Sequence, residues 1–192
     1  MSQNRIKLLT LAVALLFGGS LALAADKLSM GDSRFIKDTA NGGLAEVELG
    51  KLAAEKAASP QVKEFGKKME QDHSKLNKEL QQLASTKNQQ IPDKLEGKQK
   101  STYDRLAKLS GEKFDREYMK TMIDDHKTDV DKFKKQADKA DDADVKKFAA
   151  KALPTLQQHL ELAQSTGQQV GAATQDGGLK GLVEKAQDKV KR

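Results

Sequence analysis

"SPQVKEFGKKMEQDHSKLNKELQQL", Ser59 to Leu83, decides the fold. Val62, Phe65, Met69, His73, Leu76, Leu80 and Leu83 recur in steps of three and four, and every other residue from Gln61 onward is polar or glycine. That spacing is one face of an α-helix and not the alternation of a strand. Ser59 reads as the cap and Pro60 as the first helical position, where a missing N–H costs nothing. His73 is the odd member of the stripe, which is otherwise hydrocarbon and thioether.

Three other long stretches repeat the pattern. The first starts at Asp32, expected as its N-cap, and runs to about Ala58 with Phe35, Ile36, Ala40, Leu44, Val47 and Ala53 on one face. Another carries Phe114, Tyr118, Met122, His126, Val130 and Phe133. The last, from about Asp142 to Ser165, carries Val145, Phe148, Ala152, Leu156, His159 and Leu160. A tight acidic turn, "DKADDAD", joins the last two stretches, whereas a polar connection with Pro92 and a short helix, about Gln99 to Leu109, separates the pairs. Ser110-Gly111 reads as the break that ends the short helix. Short links within pairs and a long crossover between them predict an all-α, ferritin-like four-helix bundle of two hairpins. The short helix would lie in the crossover.

The ends of the chain read differently. Arg5 and Lys7 precede the apolar run Leu8–Ala24, which closes on Ala22-Leu23-Ala24. This is the form of a cleavable signal peptide, so the mature chain is expected to begin near Ala25 in the periplasm or envelope. The expected organisation is signal peptide 1–24, flexible mature N-terminus 25–31, bundle 32–167, and linker with a basic tail 168–192. The tail "LKGLVEKAQDKVKR" could touch acidic envelope components through a short amphipathic helix.

With no cysteine, disulfides, thiolate ligands and thiol nucleophiles are excluded, so the core alone must stabilise the domain. The formal net charge is +6, but lysines alternate with acids along each segment. Such mixing marks solvated helix faces and argues against nucleic-acid binding. There is no Gly-x-Ser-x-Gly elbow and no phosphate-cradling glycine loop, so the chain does not read as a hydrolase.

"MEQDH" (Met69–His73) and "MIDDH" (Met122–His126) repeat one phrase, and the third histidine, His159, lies on the last stripe. All three sit within apolar faces. The first segment places Glu46 on its face instead, beside Gly43, Gly50 and Ala53, small residues that admit a neighbouring helix. Residues equidistant from the turn near Ser59 face each other, which sets Glu46 opposite Asp72 and His73. His126 and His159 likewise fall near mid-helix. A cluster of Glu46, His73, His126 and His159 is thus the candidate metal site, with Glu70 and Asp125 as edge ligands. Imidazole and carboxylate donors suit Zn, Fe, Mn or Cu. Glu70 and His73 form one Glu-x-x-His, but Ile123 and Leu156 stand where a second would need a Glu. A di-metal oxidase is therefore disfavoured. The alternative to a metal is a buried, hydrogen-bonded His/Glu cluster that fixes helix register.

Three other residues read as structural. Asp115, too far along its helix to join the histidines, is expected to cap free amides or meet a tyrosine hydroxyl. Tyr118 shares its face, and Pro154 removes one hydrogen bond inside the last helix. Met69, Met119 and Met122 read as core filler.

"LAEVELGKLA", "MEQDH", "SGEKFDREYM" with "DDH", and "ALPTLQQHL", in that order, resemble an exported bacterial family with a ferritin-like fold, catalogued as a domain of unknown function. Its members are often labelled outer-membrane or secreted proteins. The resemblance runs from about Ser33 to Ala163. Glu46, Glu48, His73, Asp115, Tyr118, His126, Pro154 and His159 match its pattern. It implies a four-helix fold and an envelope location and brings no established reaction. Two readings stand: an envelope protein binding a transition metal, and a metal-free stress or interaction module.

Overall fold

A computed structural model describes residues 27–172. The predicted signal peptide and all but the first residues of the predicted tail lie outside that range. Five helices follow in order: α1 Met30–Lys56, α2 Pro60–Thr86, α3 Gly97–Ala107, α4 Gly111–Lys139 and α5 Ala143–Gln169. No strand occurs among the described residues.

Helix starts correct one expectation. Ser29, not Asp32, caps α1: its Oγ accepts the Asp32 amide at 3.1 Å. Asp32 lies inside the first turn, which frees its carboxylate for another task. Gly111 opens α4 with φ of 60°, and α3 ends at Ala107, so Ser110-Gly111 lies at the break expected between the two helices. Only glycine adopts this left-handed conformation cheaply. At α5 the Asp142 carboxylate accepts the amides of Asp144 and Val145 at 2.9 and 3.1 Å, an ordinary N-cap. The helix continues through Gly167 to Gln169, and the buried Ala172 closes it by donating its amide to the Gly167 carbonyl at 2.7 Å.

Two buried aspartates set the arrangement of the hairpins. Asp115, near the start of α4, accepts the amides of Ala58 and Ser59 in the α1–α2 turn at 3.0 and 2.8 Å. Asp32, near the start of α1, accepts the Asp142 amide of the α4–α5 turn at 2.8 Å and a bond from the Gln136 side chain. The hairpins therefore turn at opposite ends, and the helices run up, down, down, up. At the Asp32 end Lys87, just past α2, bridges Asp142 and Asp144 at 2.7 Å each.

This topology requires a crossover spanning the bundle's length. α3 supplies it by lying along α1. Asn41 donates to the Glu96 carbonyl at its start, and Lys56 donates to the Ala107 carbonyl at its end.

The α1–α2 interface is close. A Cβ on Gly50 would meet the Gly66 carbonyl oxygen at 2.6 Å, and one on Gly66 would meet that of Gly50 at 2.7 Å. The backbones touch there, as the small residues predicted. The apolar core falls into two parts. One, near the α1–α2 turn, includes Phe65, Met69, Leu106, Phe114, Tyr118 and Met122. The other, near the α4–α5 turn, includes Phe35, Ile36, Leu80, Phe133, Phe148 and Leu156. Burying each such large side chain contributes about 1.5–3 kcal/mol. Between the two parts lies a polar layer.

Candidate metal centre

α2, α4 and α5 each bring one histidine to that layer. The stripes that bury these helices place His73, His126 and His159 at 4%, 0% and 0% exposure. Their ring centroids form a triangle with sides of 5.6, 5.2 and 5.4 Å. One ring nitrogen from each lies within 4.8 Å of the other two.

The hydrogen bonds around the rings decide what the inner nitrogens are. His126 Nδ1 lies 2.9 Å from the Met122 carbonyl oxygen. A carbonyl only accepts, so Nδ1 carries the proton and Nε2 presents a lone pair. His159 Nε2 lies 2.9 Å from Asp72 Oδ2, so the same logic protonates Nε2 and leaves the lone pair on Nδ1. His126 Nε2, His159 Nδ1 and His73 Nε2 are buried and have no partner among the described residues. The rings do not bond to one another.

All three imidazoles are held neutral. Burial lowers His73 well below the ordinary histidine value, and the neighbouring His126 and His159 lower it further. Burial, then His159, brings His126 down to about 4. His159 is lowered by burial despite the opposing pull of Asp72. For Asp72, burial acts upward, but hydrogen bonds from Lys68 and His159 outweigh it and lower its pKa. Lys68 completes that relay at 2.8 Å from Oδ2.

The carboxylates arrange themselves differently from the sequence expectation. Glu46 is buried at 4% exposure in the same layer, yet the mutually close ligand atoms belong to the three imidazoles alone among the described residues. Its Oε2 has no partner among the described residues, and burial, then Asp125 and Asp129, raises its pKa well above the usual carboxylate range. Glu70 is half-buried on the α1 side, where its backbone meets Gly50, and it does not join the cluster. Asp125, half-buried with its pKa raised chiefly by burial, also stays outside it. The carboxylate that does engage the cluster is Asp72, which the spacing argument passed over in favour of Glu70. Its signal was present in the repeated phrase, where an acid directly precedes each histidine. One residue back along a helix points to a different neighbour, here α5 and not α1.

The remaining assignments are structural. Asp115 caps free amides as expected, but those of the other hairpin. Tyr118 stacks on Phe114 at 5.6 Å, and its buried hydroxyl has no partner among the described residues; burial, then Glu46, raises its pKa. Pro154 is solvent-facing, so water can satisfy the Ala150 carbonyl that it leaves without a donor. Met69 and Met122 are fully buried in the core one turn before their histidines.

Imidazole nitrogens about 2.0–2.1 Å from one ion stand roughly 3.3–3.6 Å apart. The separations here, within 4.8 Å, need only modest closure. The donor set therefore fits a transition metal.

No curated protein matches the chain. Among solved structures, a DUF305 fragment from Deinococcus radiodurans shares 12% identity at a TM-score of 0.64, covering 76% of this chain and 98% of its own. A DUF305 protein from Streptomyces coelicolor, whose description includes the word secreted, shares 13% at 0.64, covering 77% and 97%. CopM in its Cu(II)-bound form shares 17% at 0.61, covering 72% and 96%. At these identities the likeness carries the helical-bundle fold alone. The sequence itself matches the family described as Domain of unknown function (DUF4142) over residues 19–166. That span takes in the whole bundle up to the last turn of α5, and this chain belongs to the DUF4142 family.

Proposed function

We propose that the protein binds one transition-metal ion through His73, His126 and His159, with copper the leading occupant. The observation that carries this reading is the set of three buried ring nitrogens without partners, two of them fixed as lone pairs by bonds on the far side of the ring. Metal-binding histidines are commonly held in this way, by a carboxylate or a backbone carbonyl on the other nitrogen. A cluster built only for register would instead satisfy its buried polar atoms internally.

Copper is favoured on two grounds. Among divalent first-row ions it binds nitrogen donors most tightly. Its monovalent form also carries the smaller charge into a site with three neutral donors, where ion desolvation is costly. The copper-bound relative of the same fold supports this choice. Glu46 then acts as a nearby proton-bearing group and not as a ligand.

We also read the protein as exported to the periplasm or envelope. The leader-like run Leu8–Ala24 and the relative described as secreted support that location. N-terminal sequencing of the mature protein should begin near Ala25.

The test of the metal reading is elemental analysis of protein purified without a nickel column. One copper per chain that disappears in His73→Ala supports it. Two metals with oxygen-dependent turnover would favour an oxidase. Metal-free protein that takes up neither copper nor zinc would leave the structural cluster as the answer.

A further inference from the structure

The three-imidazole layer is walled by apolar core on both sides, which raises the question of how an ion reaches it. A crevice among α1, α2, α4 and α5, about 20 Å³ in volume, is lined at once by exposed Asp38 and by buried His73. That volume holds about one water-sized occupant. Thr39, Gly43, Asn77 and Asp129 supply the rest of its polar lining, set against an apolar wall that includes Leu80, Phe133, Phe148 and Leu156.

We propose that this crevice is the inlet through which the ion passes to His73; the proposal rests on the metal reading above. Its lining has the chemistry for the task. Asp38 and Asp129 bring carboxylates to the lining, and among the described residues their ion pairs are to Arg34 at 3.6 Å and Lys132 at 2.9 Å. Such pairs exchange at little cost. Further in, Thr39 Oγ1 is buried without a partner among the described residues. Asn77 Oδ1 lies 2.0 Å from where a Cβ on Gly43 would stand, so the missing side chain at 43 is what lets the amide turn into the crevice. The buried end of the lining is His73, whose Nε2 has no partner among the described residues. A cation moving inward meets carboxylate, amide and hydroxyl oxygens in place of the water it must shed, and then nitrogen. The larger groove between α2 and α5, lined by Phe65, Lys68 and Leu162 among others, reaches none of the three histidines.

The experiment mixes full-length apoprotein with Cu(II) chloride by stopped flow, with affinity measured separately by chelator competition. Thr39→Val with Asn77→Leu keeps the packing volume and removes the oxygens. Uptake should slow by about tenfold or more, about 1.4 kcal/mol of barrier. Release should slow equally, so that the dissociation constant stays within about threefold. A packing defect would instead change affinity or Tm. Exposed Asp38→Asn, which leaves the core untouched, should slow uptake by about two- to threefold at low salt and lose that effect at high salt. Wild-type uptake rates in both variants would overturn the inlet and leave the site standing. A wild-type chain that takes up no copper would remove site and inlet together.

Discussion

The ends of this bundle and its middle treat buried polar groups in opposite ways. At each end one carboxylate, Asp32 or Asp115, is almost fully buried, and both of its oxygens are engaged by the other hairpin: Asp115 by two amides of the α1–α2 turn, Asp32 by one amide of the α4–α5 turn and the Gln136 side chain of α4. In the middle, Glu46, His73, His126 and His159 are buried as deeply, and each keeps an atom without a partner. The two ends use one device twice: Asp32 to Asp115, Val62 to Val145 and Phe65 to Phe148 span the same interval of sequence. The middle breaks that correspondence, since histidines come from three helices and α1 offers Glu46. Folding alone rewards satisfied polar groups. The two end carboxylates meet that requirement, and the middle is organised around something else.

The sharpest contrast lies in removal of the end carboxylates. Asp115→Ala strips two backbone amides of their acceptor at once and should cost about 3–4 kcal/mol in urea unfolding. Asp32→Ala, which loses one backbone amide and the Gln136 contact, should cost somewhat less. A loss below about 1 kcal/mol at either site would mean that the turns hold without their clamps, and the ends would no longer differ from the middle.

The middle should respond to metal more than to mutation. Copper at about a hundredfold excess over its dissociation constant should add about 2.7 kcal/mol to wild-type stability. It should add nothing to His73→Leu. Without metal, that variant should melt no lower than wild type, because it replaces an unpartnered polar group with hydrocarbon. A large loss of apoprotein stability would show the ring to be structural. Asp72→Asn sits one step out. It should leave the apoprotein nearly unchanged and weaken copper by roughly 10- to 100-fold in chelator competition, because the His159 tautomer is no longer enforced.

Much of this was legible from residue order. The stripes of Phe, Leu, Val and His at helical spacing gave the four helices, and distance from the turn near Ser59 gave the α1–α2 register, seen now in the apposition of Gly50 with Gly66 and of Gly43 with Asn77. The same reasoning put three histidines at one height. It did not resolve direction within a layer. Height along a helix is a matter of counting, but whether Glu46 or Asp72 reaches the rings depends on how the hairpins rotate against each other. That rotation is set by packing summed over both core parts. The partners of Asp32 and Asp115 were hidden for the same reason, since each belongs to the opposite hairpin.

Glu46→Gln turns the comparison into a pH profile. Burial, then Asp125 and Asp129, raises the Glu46 pKa in the native state, so there the folded chain holds a proton that the unfolded chain releases above about 4.5. Stability from this group is complete below the unfolded value and is lost as pH rises through the folded value. Glutamine cannot lose that proton. The variant should therefore match wild type in acid and become the more stable of the two as pH climbs, by about 1.4 kcal/mol for each pH unit between the two pKa values. The histidines act in the opposite sense: their lowered values remove stability as pH falls below about 6.5. They do so in both proteins, and subtracting one melting curve from the other cancels them. At the end of the bundle the matching swap, Asp115→Asn, should destabilise at neutral pH, because an amide cannot accept both turn N–H groups as a carboxylate does. Opposite signs for two acid-to-amide changes at equal burial are the outcome that the satisfied-end, unsatisfied-middle contrast requires, and equal signs would break it.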